Sequence, residues 1–426
     1  MKEYPYWLDT LRPENGAPGP PLAVPATVDV AIIGAGYTGL SAARHLTRSG
    51  ATVAVIERDQ VGAGASSRNG GQVLTGLKLD AVTLVGRVGE GRARALFDIA
   101  GRAIHDLEAV IADEHISCGY ARTGHVQAAA KPSHFIGFRE EQALLARVFG
   151  QRVELVSRAD QRSELGSDRY HGLLIDPGSA AINPAQYVHG LAAAATRAGA
   201  SVITGTEVTG VERAGDGWLV TTAAGPIRAR EVLIATNGYT GAATPAVRRR
   251  FVTIGSYVIA TEPLGEARAT ALLPRGRMAF DSKNFLFYFR RTADHRLLFG
   301  GRAEFSAPDA GTTRRAAGIL RQGMIEVFPE LADVRVDYAW SGNVAFTRDQ
   351  MPHAGRLDGL FYAGGYCGHG VAMATHLGTH IARRIAGETI DHPFFDDRFP
   401  AIPFYTGRPW FLPIVGAYYH VMDWLT

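Results

Sequence analysis

Three glycines, Gly34, Gly36 and Gly39, stand in GxGxxG spacing, and an acid, Glu57, follows 23 positions after the first of them. These residue types at this spacing suit a dinucleotide. The first glycine permits a tight turn, the second lets a pyrophosphate approach the backbone, and the third lets a helix pack closely on a strand. A helix opening on these glycines turns its unpaired N–H groups and partial positive charge toward the phosphates. Glu57 is placed to accept hydrogen bonds from an adenosine ribose. A second run of small residues leads from Gly62 through Ser66, Arg68, Asn69, Gly70 and Gly71 to Gln72. Only residues without bulk let a chain pass close along a pyrophosphate and a large flat ring. A third cluster, Gly364, Gly365, Gly368 and Gly370 with Cys367 and His369 among them, lies near the other end of the chain.

One ligand meets all three clusters only if strands deliver them to one place. Residues 28–33 predict a short β-branched strand buried on both faces. Leu40, Ala43 and Leu46 then share one face of a helix that stops at Gly50, and residues 52–56 form a second strand ending at Glu57. The stretch 79–116 has a helical period, 120–127 alternates as a strand or hairpin arm, and 132–149 is helical again. Asn183 is a candidate N-cap with Pro184 as the first helical residue, and Gly199 closes that helix. A strand at 201–203 exits through Glu207 and Val208. Residues 218–222 and 227–230 read as a hairpin, and 231–238 as a strand ending in a small turn at Thr236 and Asn237. From 251 to 339 strands dominate, with Phe285, Phe287 and Phe289 alternating with Leu286, Tyr288 and Arg290. A neighbouring strand at 297–302 and a helix at 314–327 follow. The last buried strand, 360–363, runs into the third glycine cluster and a closing helix.

The strings GAGYTGLS and GAGASSRNGGQ resemble those of the D-amino-acid-oxidase-like family of FAD-dependent amine and amino-acid oxidoreductases. Within that family the bacterial γ-glutamylputrescine oxidoreductases are the nearer likeness. GYCGHGV at 365–371 resembles the family's GYSGHGV, with Cys367 where serine is usual. The resemblance spans almost the whole chain and implies an α/β fold: a Rossmann-type, glutathione-reductase-like FAD-binding domain with an interleaved α+β substrate domain on a mostly antiparallel sheet. The expected division is an arm at 1–27, FAD-binding segments at 28–78, 151–250 and 340–390, substrate-domain segments at 79–150 and 251–339, and a Pro- and aromatic-rich tail at 391–426. FAD contacts carry over to Gly34, Gly36, Gly39, Glu57, Arg58, Ser66, Arg68, Asn69, Gly70, Gly71, Gln72, Val208, Thr236, Asn237, Gly365, Gly368, His369, Gly370 and Val371. The closing helix then aims its N-terminus at the pyrimidine half of the flavin, where negative charge accumulates on reduction.

Substrate chemistry follows more loosely. The family oxidises C–N bonds of amines or amino acids to imines, and hydride loss requires the amine to be neutral, which a desolvated pocket favours. His369 divides between a ring-contacting and a structural role. Tyr288 and Trp340 are candidate pocket walls whose π faces attract cations. Arg290 and Arg302 are candidate partners for a substrate carboxylate, although salt bridges are the commoner fate of an arginine. Cys367 could bond to flavin, but free cysteines are usually small buried hydrophobes. No second strand–glycine–helix–acid unit exists to hold a nicotinamide nucleotide, so electrons are expected to enter from the small-molecule substrate and leave to oxygen or another acceptor. The alternatives are an amino- or imino-acid dehydrogenase of this fold passing electrons to a quinone, and a flavin-bearing subunit without its own turnover.

Composition excludes other classes. Of 426 residues 46% are apolar and 20% charged, with net charge +3, which suits a globular two-domain protein and not a nucleic-acid binder. Cys118 and Cys367 form no metal-ligand or disulfide framework, so a reducing cytoplasm is the expected home. No secretory signal and no transmembrane run is visible. Tyr4, Tyr6 and Trp7 are expected to pin the arm to the body, and the tail to pack on the body or on a partner subunit in a homo-oligomer. Only four of the 44 basic residues are lysine, which genomic base composition explains most simply.

Overall fold

The run 28–33 is apolar on both faces because it is a central strand. In a computed structural model of the chain, which describes residues 1–11, 23–301, 311–407 and 409–425, strand Thr27–Ile33 pairs in parallel with Val53–Ile56 and with Gly225–Ile234. Ser201–Ile203 adds a parallel edge on one side, and Leu360–Gly364 with antiparallel His353–Leu357 completes the other. Helices Tyr37–Arg48, Pro184–Arg197 and Gly370–Ile385 bury the apolar faces that their sequences predict, with Leu40, Leu191 and Leu377 in one core. Asn183 caps its helix as expected, its Oδ1 accepting from Gln186 N at 3.2 Å. The expected hairpin and the strand after it are one element: Gly217–Thr222 pairs with the first half of a ten-residue strand, Gly225–Ile234, whose second half enters the parallel sheet.

A second sheet of eight strands runs, in order, Val336–Phe346, Val252–Thr261, Leu297–Gly301, Phe287–Arg291, Met278–Asp281, His125–Ala128, Leu173–Asp176 and Glu154–Val156. Every pair is antiparallel except Met278–Asp281 with His125–Ala128, so the sheet is mostly antiparallel. Helix Thr312–Val327 covers its outer face through Ala316, Leu320 and Met324. Sheet membership corrects the expected boundaries. Residues 154–176 and 340–346 belong to this second sheet and not to the nucleotide domain, because their strands pair there and alternation alone cannot tell which sheet a strand joins.

Other expectations sharpen. The helical stretch 79–116 is two helices, Ala81–Val88 and Glu90–Asp113, parted by Gly89, with Asp80 capping the first. Only His125–Ala128 of the alternating 120–127 stretch is a strand; Ala121 contributes an isolated bridge to Ala181. The arm is pinned as expected. Tyr6 donates to Asp294 Oδ1 at 2.6 Å and Trp7 Nε1 to Asn69 O at 2.9 Å, while Tyr4 stays exposed. The tail holds a helix, Leu412–Leu425. Among the described residues no helix is long and apolar enough to cross a membrane.

Candidate active site

The C-terminal ends of the parallel strands face the second sheet across a cavity of about 910 Å³. All three glycine clusters border it. The first strand delivers Gly34, and Glu57 at the end of the second is fixed from two sides. Its Oε2 accepts from Ala35 N at 2.9 Å and its Oε1 from Asp59 N at 3.1 Å. Each oxygen keeps a further lone pair for a ribose hydroxyl. Gly36 caps helix Tyr37–Arg48, and a Cβ there would stand 2.9 Å from Ser66 Oγ, which accepts from Tyr37 N at 3.1 Å. The space over that helix end is therefore kept clear of side chains, as an approaching pyrophosphate needs. Gly39 works differently: a Cβ would lie 2.1 Å from Gly34 O, and the residue does not reach the cavity. It packs helix on strand.

The second small-residue loop is tied down by its own polar side chains. Arg68 donates to Ala63 O at 2.6 Å and Ser341 O at 3.0 Å. Asn69 donates to Ala65 O at 2.9 Å and accepts from Gly71 N at 2.8 Å. Ser66, Arg68, Asn69, Gly70 and Gln72 border the cavity, whereas Gly71 does not. Arg58, paired with Asp59 at 3.1 Å, and Val208, which opens strand Val208–Ala214, also border the cavity. Thr236 and Asn237 border it too, and Asn237 Oδ1 accepts from Gly365 N at 2.9 Å, so Gly365 is held behind the wall.

The third cluster brings Gly368, His369, Gly370 and Val371 to the cavity, with His369 as N-cap of helix Gly370–Ile385. Tyr366, which the sequence reading passed over, locks this cluster to the first helix through a 2.6 Å hydrogen bond between its hydroxyl and Thr38 Oγ1. His369 Nδ1 is buried without a partner. Burial first, then Lys78 and His125, push the imidazole down to about 3, so it is neutral at pH 7. Burial pushes the Cys367 thiol up to about 11, and Sγ donates to Gly365 O at 3.2 Å. A protonated thiol is a poor nucleophile.

On the second sheet Tyr288 lines the cavity as expected, its ring lying over Gly70, where a Cβ would approach to 2.9 Å. Trp340 does not. It is 2% exposed, packs with Tyr6, Trp7 and Leu298, and donates Nε1–H to Arg68 O at 2.8 Å. Arg290 is also displaced from its expected role: its guanidinium donates to Gly71 O and Ile182 O, both at 2.8 Å, under the Trp7 ring and away from the cavity. Arg302 lies outside the described residues.

Charged groups that the sequence reading did not select take their place. Lys78 and Lys283 border the cavity, as do Asp281 and Glu141. Burial pushes Asp281 up to about 6, opposed by Lys283, whose Nζ lies 3.3 Å from its Oδ2. Burial, then Asp80, push Glu141 up to about 7. One signal was in the sequence: two of its four lysines are these two, so scarcity marked positions that composition alone seemed to explain.

A Rossmann-type sheet whose glycines clear a pyrophosphate path, closed by a third cluster beneath an antiparallel sheet, defines a dinucleotide-dependent oxidoreductase. Comparison with known proteins narrows the class. A family model described as FAD dependent oxidoreductase (DAO) matches residues 29–384, and the chain belongs to that family. Its cofactor is FAD, which the Gly36 clearance and the anchored Glu57 carboxylate fit. The chain is 34% identical over 406 residues to γ-glutamylputrescine oxidoreductase of Escherichia coli (strain K12), covering 93% of each. It is 32% identical over 375 residues to the probable oxidoreductase OrdL of Haemophilus influenzae, covering 87% of this chain and 85% of that one. Among solved structures, glycine oxidase from Geobacillus kaustophilus superposes with a TM-score of 0.70 at 21% identity, covering 89% of this chain and 99% of the other. L-proline dehydrogenase from P. horikoshii gives 0.69 at 20%, covering 86% and 95%. These two share the fold.

Proposed function

We propose that the chain oxidises the C–N bond of a carboxylated, γ-glutamylputrescine-like amine to an imine and passes the electrons to oxygen. The observation that carries this reading is the mixed charge of the cavity wall, where Lys78 and Lys283 stand with Asp281 and Glu141. A molecule with an amine at one end and a carboxylate some way off matches such a wall; a plain alkylamine uses half of it.

FAD bound in the cavity supplies the two-electron acceptor. The chain does the rest. Leu77, Leu286, Phe280 and Tyr288 give the cavity apolar walls that disfavour an ammonium and so favour the neutral amine. His369, neutral and with a ring nitrogen unpaired, offers a hydrogen bond without adding charge. The N-terminus of helix Gly370–Ile385 contributes the positive partial charge instead. Lys283 and Lys78 replace Arg290 as partners for the carboxylate. Two unpaired cysteines, both buried, support a cytoplasmic setting.

The test is Lys283→Met and Lys78→Met, each assayed with a carboxylated amine and with an alkylamine of equal length. Loss of a charge-assisted contact of about 1.5–3 kcal/mol lowers kcat/KM for the carboxylated amine roughly 10- to 150-fold in at least one variant. The alkylamine rate stays nearly constant. Equal losses for both substrates in both variants would show that the lysines only shape the cavity. Oxygen uptake with peroxide release separates this reading from a dehydrogenase that passes electrons to a quinone.

A further inference from the structure

We propose a second site, outside the cavity, where His376, His380 and His392 bind a divalent transition metal ion of the zinc class. His376 and His380 are four residues apart on helix Gly370–Ile385 and so share a face. His392 comes back to them from the segment after the helix. One nitrogen from each ring lies within 4.8 Å of the other two, and the ring centroids are 4.2, 5.1 and 5.2 Å apart. Zn–N bonds of about 2.0–2.1 Å set a tetrahedral N···N edge of roughly 3.3 Å. The His376 Nε2–His392 Nε2 pair, now at 2.9 Å, would open slightly and the His380 nitrogen would draw in. A fourth position is left for water.

Two observations favour a metal over a plain hydrogen-bond network. His376 Nδ1 lies 2.5 Å from Asp106 Oδ2 on helix Glu90–Asp113. That contact holds the Nδ1 proton and leaves the Nε2 lone pair facing the cluster, the arrangement of carboxylate, histidine and metal. His380 Nδ1 is buried with no hydrogen-bond partner. A chain from Phe394 N to His392, then to His376 and Asp106, accounts for two rings but gives the third nothing to do. Metal binding moves the His392 proton from Nε2 to Nδ1 and gives up the long 3.2 Å bond from Phe394 N. Arg102 and Arg383 act on the cluster as cations and oppose a dication; Asp106 offsets them, and Glu388 pairs with Arg383 at 2.7 Å. Three imidazoles select zinc, cobalt or nickel over magnesium or calcium. The ion would fasten the closing helix, whose first residues border the cavity, to the segment after it and to helix Glu90–Asp113.

Tag-free, flavin-loaded protein is stripped with a chelator and titrated with Zn²⁺ by calorimetry. Co²⁺ serves as an optical probe of tetrahedral geometry. The expected result is one Zn²⁺ per chain at micromolar Kd or tighter, no response to Mg²⁺, and a Tm raised by roughly 2–5 °C at saturating zinc. His380→Ala removes no hydrogen bond at Nδ1, so it should fold, keep its flavin and lose zinc affinity at least 100-fold. Asp106→Asn should weaken zinc binding about 10-fold or more. Absence of stoichiometric zinc binding in the wild type, or unchanged affinity in His380→Ala, would overturn the proposal and leave the cluster a hydrogen-bond network.

Discussion

The glycine turn after strand Thr27–Ile33 and the turn after Met278–Asp281, on opposite sides of the cavity, are held by different means. At the glycine turn the backbone itself is the instrument: a Cβ at Gly39 would meet Gly34 O at 2.1 Å, and Glu57 beside it is aimed by main-chain N–H groups. On the substrate side the turn after Met278–Asp281 is held by a side chain, with Asp281 Oδ1 accepting from Phe287 N at 3.1 Å and Lys283 N at 3.3 Å. A loop fixed by backbone contact tolerates no added atom and serves one ligand. A loop fixed by side chains can exchange them, so the same sheet can serve different substrates. Recognition of FAD and choice of substrate are thereby separated within one cavity.

That separation can be broken at graded cost. Gly39→Ala forces a methyl group against a main-chain oxygen and should destabilise by about 3 kcal/mol or more, read as lost soluble protein or a lowered urea midpoint. Gly36→Val, by contrast, crowds only Ser66 and the cavity, so the chain should fold yet purify colourless; full flavin occupancy would contradict the cleared path.

Arg290→Met comes next. Burial holds this guanidinium down at about 10, and its removal strands two buried carbonyls. The cost is about 3 kcal/mol of stability, with turnover of carboxylated and plain amines falling together. A loss confined to the carboxylated amine would return Arg290 to the substrate site.

His369 gives a smaller, pH-dependent effect. The unfolded chain takes a proton on this ring near 6.5, whereas the folded one does so only near 3. Stability from this group is therefore present above 6.5 and lost as pH falls through that window, by about 1.4 kcal/mol per unit at most. His369→Asn should lessen the drop in unfolding free energy between pH 7 and pH 5, read from urea titrations, by about 2 kcal/mol; an unchanged drop would show that the ring is not desolvated.

Cys367→Ser should change least, by about 1 kcal/mol or less, since Gly365 O and Thr347 are in reach of a hydroxyl. Acid precipitation of the wild type should leave a colourless pellet. A yellow pellet that clears in Cys367→Ser would mean a thioether to the flavin.

The same contrast explains how much of the molecule was legible beforehand. Close approach admits almost no residue but glycine, against backbone at Gly34 and Gly39 and against the Ser66 and Tyr288 side chains at Gly36 and Gly70, so these positions leave a readable trace, and a strand-end acid such as Glu57 is confined by distance. Side-chain walls leave less. Tyr288 and Arg290, two apart, share a face of their strand, and period-2 alternation says that much. It cannot say that the Gly71 carbonyl and Ile182 cover one and leave the other open. Trp340 was misplaced for two reasons: local pattern did not show that strand Val336–Phe346 carries it, nor that Tyr6 and Trp7 of the arm lie over it. Asp281, Glu141 and Lys283 sit in no periodic pattern, and only their meeting in the cavity gives them meaning.

The central claim, that this cavity oxidises an amine, is tested most directly by mixing the flavin-loaded protein anaerobically with a γ-glutamylated diamine and following the flavin band. The account predicts that the band bleaches, faster than with an alkylamine of equal length, and that admitting oxygen restores it with one peroxide released per imine formed. A fully flavinated protein whose band stays unchanged with this and every other amine or amino acid offered would contradict it.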